Sequence, residues 1–237
     1  MNLELLQDAF FEALVEGNRP RARRLIEETM REGWSPEEII VDIYWSVYER
    51  IEKLFRSDSM TSMQHRIATR LLRVMVDQTA ASLTIRPADE GGSRRRVLAC
   101  CGPTDADELA AQMAVDLLEA GGFEMTFAGG GIPMDEVLGR IHEQRPDVLL
   151  LFASAPSDLP EIRAMIDQLR EIGACPDLQI VVGGGVFNRA EGLAEEIGAD
   201  LWASDPLELV DEMLAQPDRR ATPEQRTVGR SRRAKAA

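Results

Sequence analysis

The sequence predicts an α/β protein in two parts, an N-terminal four-helix bundle followed by a five-stranded parallel sheet with helices packed on it. Three observations predict this. Residues 1–85 repeat their apolar positions at the three-to-four spacing of helices only. Residues 86–95 then carry a proline, two glycines and no apolar run, which reads as a linker. Beyond it, over about 120 residues, short apolar runs alternate five times with amphipathic segments, the rhythm of a parallel sheet built from strand–helix pairs.

In the first part, Leu3, Leu6, Phe10, Ala13 and Leu14 share one helical face. Gly17-Asn18 breaks that helix, and Asn18 can cap a second one carrying Ala22, Leu25, Ile26 and Met30 up to Gly33. Ser35-Pro36-Glu37-Glu38 is a capping box with proline at the first helical position, and it opens a third helix whose stripe is Ile39, Ile40, Ile43, Val47 and Ile51. A fourth is predicted from about Thr61 to Leu83. Short connections between four helices indicate a bundle.

In the second part the predicted strands are Val97–Cys101, Phe123–Ala128, Val148–Ala153, Gln179–Val182 and Leu201–Ala203. The helices between and after them are predicted at 105–120, 134–143, 159–172, 189–197 and 206–214. The domain limits read as 1–85 for the helical cap, 86–95 for the linker and 96–216 for a Rossmann-like, flavodoxin-like domain. Residues 217–237 form a basic tail expected to be disordered. From residue 218 on, seven Arg and Lys face two acids, while the whole chain carries −14.

Composition excludes several functions. An acidic body disfavours direct nucleic-acid binding. No apolar run approaches the roughly 20 residues of a membrane span, and Glu4, Asp8 and Glu12 rule out a signal-peptide pattern, so a soluble cytoplasmic protein is expected. Two histidines, His65 and His142, and three cysteines, Cys100, Cys101 and Cys175, leave no multi-His site, no Cys-x-x-Cys and no disulfide framework. Strand three ends in Leu151-Phe152-Ala153 and strand five runs into Ser204-Asp205, so the acceptor Asp and the Lys of a phospho-receiver are absent.

Ligands of doubly wound sheets bind outside the carboxyl ends of the strands, which selects the loops at 102–107, 128–133, 153–158 and 183–188. The first holds Asp105 and Asp107, either helix-capping carboxylates or ligand contacts. The second, Gly129-Gly130-Gly131-Ile132-Pro133, carries no chemistry of its own. The third offers the hydroxyls of Ser154 and Ser157, with Ser157 or Asp158 also placed to cap the next helix. The fourth, Gly183-Gly184-Gly185, reads equally as a close-approach surface for a ligand or as a tight turn leading to an Asn188 cap.

This arrangement resembles the cobalamin-binding module shared by methionine synthase, the small corrinoid methyl carriers and the cobalamin-dependent light-sensing transcription regulators. The resemblance spans roughly residues 5–215 and rests on Val182-Gly183-Gly184-Gly185-Val186-Phe187-Asn188-Arg189, on Glu196-Ile197-Gly198-Ala199-Asp200 and on Leu118-Glu119-Ala120-Gly121-Gly122-Phe123-Glu124. It implies that Gly183 and Gly184 line the cavity for the nucleotide tail of cobalamin. The family's Asp/Glu-x-His-x-x-Gly, whose His binds cobalt from below, corresponds to Asp105-Ala106-Asp107-Glu108-Leu109-Ala110, with Asp107 at the His position and Ala110 at the Gly position. Phe152-Ala153-Ser154 stands at the Ser-x-Leu motif, and in the cap Leu54 and Gln64-His65 stand where the sensors carry Trp and Glu-His.

The resemblance therefore implies cobalamin as cofactor, with Asp105, Asp107, Ser154, Ser157, Gly183, Gly184 and Gly185 around it and His65 as the candidate upper cobalt ligand. It implies a sensor, regulator or corrinoid carrier that works through a protein partner, a regulator or a methyltransferase, and is non-catalytic by itself. Self-association stays open. The other reading is a cobalamin-free domain that serves as a regulatory interaction scaffold.

Overall fold

The computed structural model describes residues 2–87, 94–222 and 225–226, and it divides into two compact units, one ending at Ile85 and one beginning at Arg86. The predicted linker residues 88–93 lie outside the described residues, as do 227–237 of the tail.

In the first unit, α1 (Leu3–Val15) and α2 (Arg19–Arg31) are opened by asparagine caps, with Asn2 accepting from the Glu4 amide and Asn18 from that of Arg21. The third helix, α3, begins as Pro36–Glu38 behind a complete Ser35/Glu38 capping box, widens into a π segment at Ile39–Trp45 and continues as Ser46–Arg56. The wider turn puts Ile39, Ile40, Ile43, Tyr44 and Trp45 all inside, more of the circumference than one α-helical stripe would bury. Gln7 donates to the Asp42 carbonyl within that segment. Helix α4 (Ser62–Ala80) starts from a Thr61/Gln64 capping box and ends three residues earlier than Leu83. The core stacks Phe10 on Tyr44 with ring centres 5.4 Å apart. The Tyr44 hydroxyl pairs with Thr79 at 2.8 Å, so its only polar atom is satisfied, and burial raises its pKa.

The second unit is an all-parallel sheet in the order β2-β1-β3-β4-β5, with β1 Arg96–Cys101, β2 Glu124–Gly130, β3 Val148–Phe152, β4 Gln179–Gly183 and β5 Leu201–Trp202. Its helices are α5 (Asp105–Ala120), α6 (Met134–Gln144), α7 (Leu159–Ile172), α8 (Gly185–Arg189), α9 (Leu193–Ile197) and α10 (Pro206–Ala215). The central strands β3 and β4 are buried at every residue, as helices on both faces require. Leu98, Cys100, Leu149, Leu151, Ile180 and Val182 point to the face covered by α6, α7 and the two short helices. The alternate residues, among them Phe152 and Gly183, point to the other face, where α5 and α10 pack together.

Two expectations are corrected. The single helix predicted at 189–197 is two, because the chain turns at Ala190 and Gly192, the latter with φ +77°. Asn188 therefore caps nothing; it lies inside α8 and donates to the Ser204 carbonyl at 2.7 Å.

The first residues of the basic tail are held against the sheet unit. The Ala221 amide donates to Asp200, which is buried and also accepts from the Ile180 amide, both at 2.6 Å. The fully buried Gln179 donates to the carbonyls of Gln216 and Arg219, and Arg226 pairs with Asp167. Composition missed this because the partners are backbone groups and buried polar side chains, not apolar ones.

Candidate functional site

The strand order places β1 beside β3 with the chain leaving them in opposite directions, so the loops after these two strands part and open a crevice at the carboxyl edge. A cavity of about 270 Å³ lies there. Its apolar wall includes Ile132, Val137, Leu151, Ile162 and Met165, and the ends of β1 and β3 form its floor. Asp158 and Glu161 are its charged lining residues. The glycine-rich loop after β2 thus contributes Gly131, Ile132 and Pro133 to the cavity, although its residues suggested no role.

Asp107 is engaged locally. Thr104 is the N-cap of α5; its hydroxyl accepts from the Asp107 amide at 3.1 Å, and Asp107 Oδ2 accepts from the Thr104 hydroxyl at 2.6 Å and its amide at 3.3 Å. This capping box places the acid at the positive end of the helix. Asp107 is 2% exposed, and its second oxygen, Oδ1, is buried without a hydrogen-bond partner. Asp105 is exposed in the same first turn. A side chain at Gly102 would begin 2.7 Å from Asp107 Oδ2 and 3.0 Å from Asp158 Oδ2, so it would displace at least the Asp107 carboxylate.

The glycines after β4 have protein neighbours. A Cβ at Gly183 would lie 2.9 Å from a ring carbon of Phe152, its register partner on β3. Gly184 has φ +103°, and a side chain there would run into the Ala153 carbonyl oxygen. That close approach is fixed by backbone bonds, from Ala153 N to Gly183 O at 3.0 Å and from Val186 N to Ala153 O at 3.3 Å. Gly185 is less constrained, since a Cβ there would meet only the guanidinium end of the long Arg189 side chain.

Ser154 presents its carbonyl to Arg189. Ser157 is exposed at the cavity rim, with its hydroxyl donating to Asp158 Oδ1 at 3.2 Å. Neither Ser157 nor Asp158 caps α7: Asp158 holds the N-cap position but makes no side-chain capping bond.

His65 belongs to the helical unit. Its Nε2 lies 2.6 Å from Glu52 Oε1, with both side chains nearly buried, and its ring stacks on Phe55 at 4.0 Å. The structure thus brings Glu52 and Phe55 to His65, and Asp158 and Glu161 to the cavity; sequence reasoning proposed none of these four as site residues. For the acids, the available signal was Asp158 in the loop after β3 and Glu161 in the first turn of α7, but the adjacency of that segment to β1 follows from strand order alone.

A B12 binding domain profile matches residues 95–211, and a second B12 binding domain profile matches residues 6–78. The chain belongs to the B12-binding module family. Dimethylamine corrinoid protein 1 of Methanosarcina acetivorans is 27% identical over 106 residues, which cover 45% of this chain and 49% of that protein. The chain thus spans about half the length of that relative. Dimethylamine corrinoid protein 2 of the same organism is 24% identical over 212 residues, covering 87% of this chain and 93% of that protein. The monomethylamine corrinoid protein of Methanosarcina barkeri superposes with a TM-score of 0.77 at 17% identity, over 90% of this chain and 98% of that one, so the B12-binding fold is shared. No described helix is long and apolar enough to cross a membrane.

Proposed function

We propose that this chain is a corrinoid-binding module of the carrier or sensor type that acts through a protein partner and brings no catalytic group of its own. The observation that carries the reading is the union, in one chain, of a helical unit and a sheet unit that each match a B12 binding domain profile, with an open crevice at the β1/β3 switch point. The corrinoid relatives are consistent with it.

In this reading Asp107 stands where the family resemblance puts the cobalt-ligating His, and the residues present do not fit a corrinoid held in that way. A carboxylate locked in a capping box replaces the imidazole, and the Phe152 ring occupies the space beside Gly183 that the resemblance assigns to the nucleotide tail. A bound cobalamin would keep its own base or remain without a lower protein ligand. The same two observations favour a second reading, a cofactor-free scaffold that regulates by contact with a partner.

Absorbance-monitored titration with methyl-, adenosyl- and hydroxocobalamin in the dark, followed by gel filtration, tests both. Co-eluting corrin bands that Asp107→Ala leaves unshifted support the first reading without a ligand at 107. A shift in those bands on His65→Ala assigns an upper ligand to His65, and no shift removes that role. Absence of co-elution with every form rejects corrinoid binding and leaves the scaffold.

A further inference from the structure

The amino edge of the sheet, at the other end of the strands from the crevice, carries a second and wider cavity of about 650 Å³. Arg94, Arg95 and Arg96 reach it from the start of β1, and Arg220 from the part of the tail held against the sheet unit. Its acids, Asp147, Asp177 and Asp218, are exposed, whereas Arg94, Arg95 and Arg220 are half-buried.

Neutral oxygens hold these guanidiniums in place. Arg95 donates to the Met213 carbonyl and to Oε1 of the fully buried Gln179, both at 2.8 Å. Arg220 donates to the carbonyl of Asp177, not to its carboxylate, and Arg94 to the carbonyl of Arg86. Arg95 and Arg220 also converge on one oxygen, the Pro217 carbonyl, at 3.5 and 3.0 Å. A carbonyl accepts hydrogen bonds but brings no counter-charge. Among the described residues, only Arg96 of the four arginines pairs with a carboxylate, Asp147 at 3.9 Å. Burial lowers the Arg95 pKa most; Asp147 opposes this, the Arg220 charge adds to it and Asp218 opposes it in turn. Two desolvated like charges that share one neutral oxygen are unfavourable, and an anion between them relieves that cost. Donors remain for it, because each guanidinium has five N–H groups and Arg95 and Arg220 spend three apiece.

We propose that this cavity binds an anion of the phosphate class, held by Arg94, Arg95 and Arg220. A phosphate group offers three acceptor oxygens and up to two charges to guanidiniums that arrive from two separate chain segments, where a carboxylate offers two oxygens and one charge. Asp177 and Asp218 line the same cavity and accept hydroxyl groups where the phosphate is an ester. The site lies apart from the crevice and stands or falls independently of corrinoid binding.

The test is titration of the full chain with inorganic phosphate and with ribose 5-phosphate, at constant pH and ionic strength, followed by amide NMR. Saturable shifts are expected at Arg95, Arg96, Asp177 and Arg220, and none at Gly102 or Gly131 at the opposite edge. The tighter of the two probes tells a free anion from an ester, and saturable binding of either supports the site. Arg220→Gln is expected to weaken binding by about tenfold, and Arg220→Lys by less, since it keeps the charge but loses the fork. Asp218→Asn leaves every arginine in place and removes an acid that competes for Arg95, so it is expected to tighten binding by about two- to fivefold. Thermal unfolding shows that each variant is folded. The proposal is overturned by no saturable shift with either phosphate, by acetate binding as tightly at the same residues, by unchanged affinity in folded Arg220→Gln, or by failure of Asp218→Asn to tighten binding.

Discussion

Alanine at Phe152 and at Gly183, singly and together, separates a packing role for Gly183 from a ligand-facing one. The Phe152 side chain is 5% exposed, and Phe→Ala in a core costs about 3–5 kcal/mol, the transfer of the ring plus the space it leaves. Gly183→Ala puts a methyl 2.9 Å from that ring, an overpacking cost of about 1–3 kcal/mol. Against this stands a gain of about 0.4–1 kcal/mol from stiffening the unfolded chain, because the backbone at 183 has no positive φ. With the ring already removed, the overpacking disappears and only the gain remains. The two substitutions should therefore couple by about 2 kcal/mol, the double variant being more stable than the sum predicts. Hydrogen exchange at the amides of Leu150 and Val181 reads the stability of the sheet unit apart from the helical one. Costs that add to within about 0.5 kcal/mol would refute the packing account and return Gly183 to the ligand reading.

Further outcomes follow from the same geometry. Gly184→Ala meets both a positive φ and the Ala153 carbonyl, so loss of at least about 3 kcal/mol or of soluble protein is expected, measured by expression and thermal melting. Burial pushes the Cys100 thiol from 9.0 up to about 11. Below pH 9 the thiol is neutral in both folded and unfolded chains. Between 9.0 and about 11 the unfolded chain ionises first, so stability falls as pH rises, by up to roughly 3 kcal/mol. Urea unfolding across that window should show the slope, and Cys100→Ala should flatten it. In the helical unit, Glu52→Ala leaves the His65 imidazole without its carboxylate and is expected to cost about 1–3 kcal/mol, read by urea unfolding followed by far-UV circular dichroism. An unchanged midpoint would show that the pair contributes nothing to folding.

Much of this protein was legible in its residues, and the parts that were not share a physical cause. Helical spacing in 1–85, the change to short apolar runs after the linker, and the caps at Asn18 and Ser35 depend on neighbours within a few positions, so they can be read from order along the chain. The five strands and the choice of the carboxyl edge as the candidate site follow in the same way. Proposed roles at single positions fared differently. Whether Asp107 caps or coordinates turned on Thr104 and on what stands across Gly102, and Asp158 arrives there from a separate loop. The glycines at 183 and 184 read equally as a ligand surface or a turn, and only the register shows that Phe152 and Ala153 stand against them. The first residues of a tail that composition assigns to solvent are held by Gln179 and Asp200, which are distant in sequence. Local order along the chain therefore determined most of the elements and the edge at which the candidate crevice opens. Strand order and register, which bring distant residues into contact, decided which groups face the crevice and which are already satisfied.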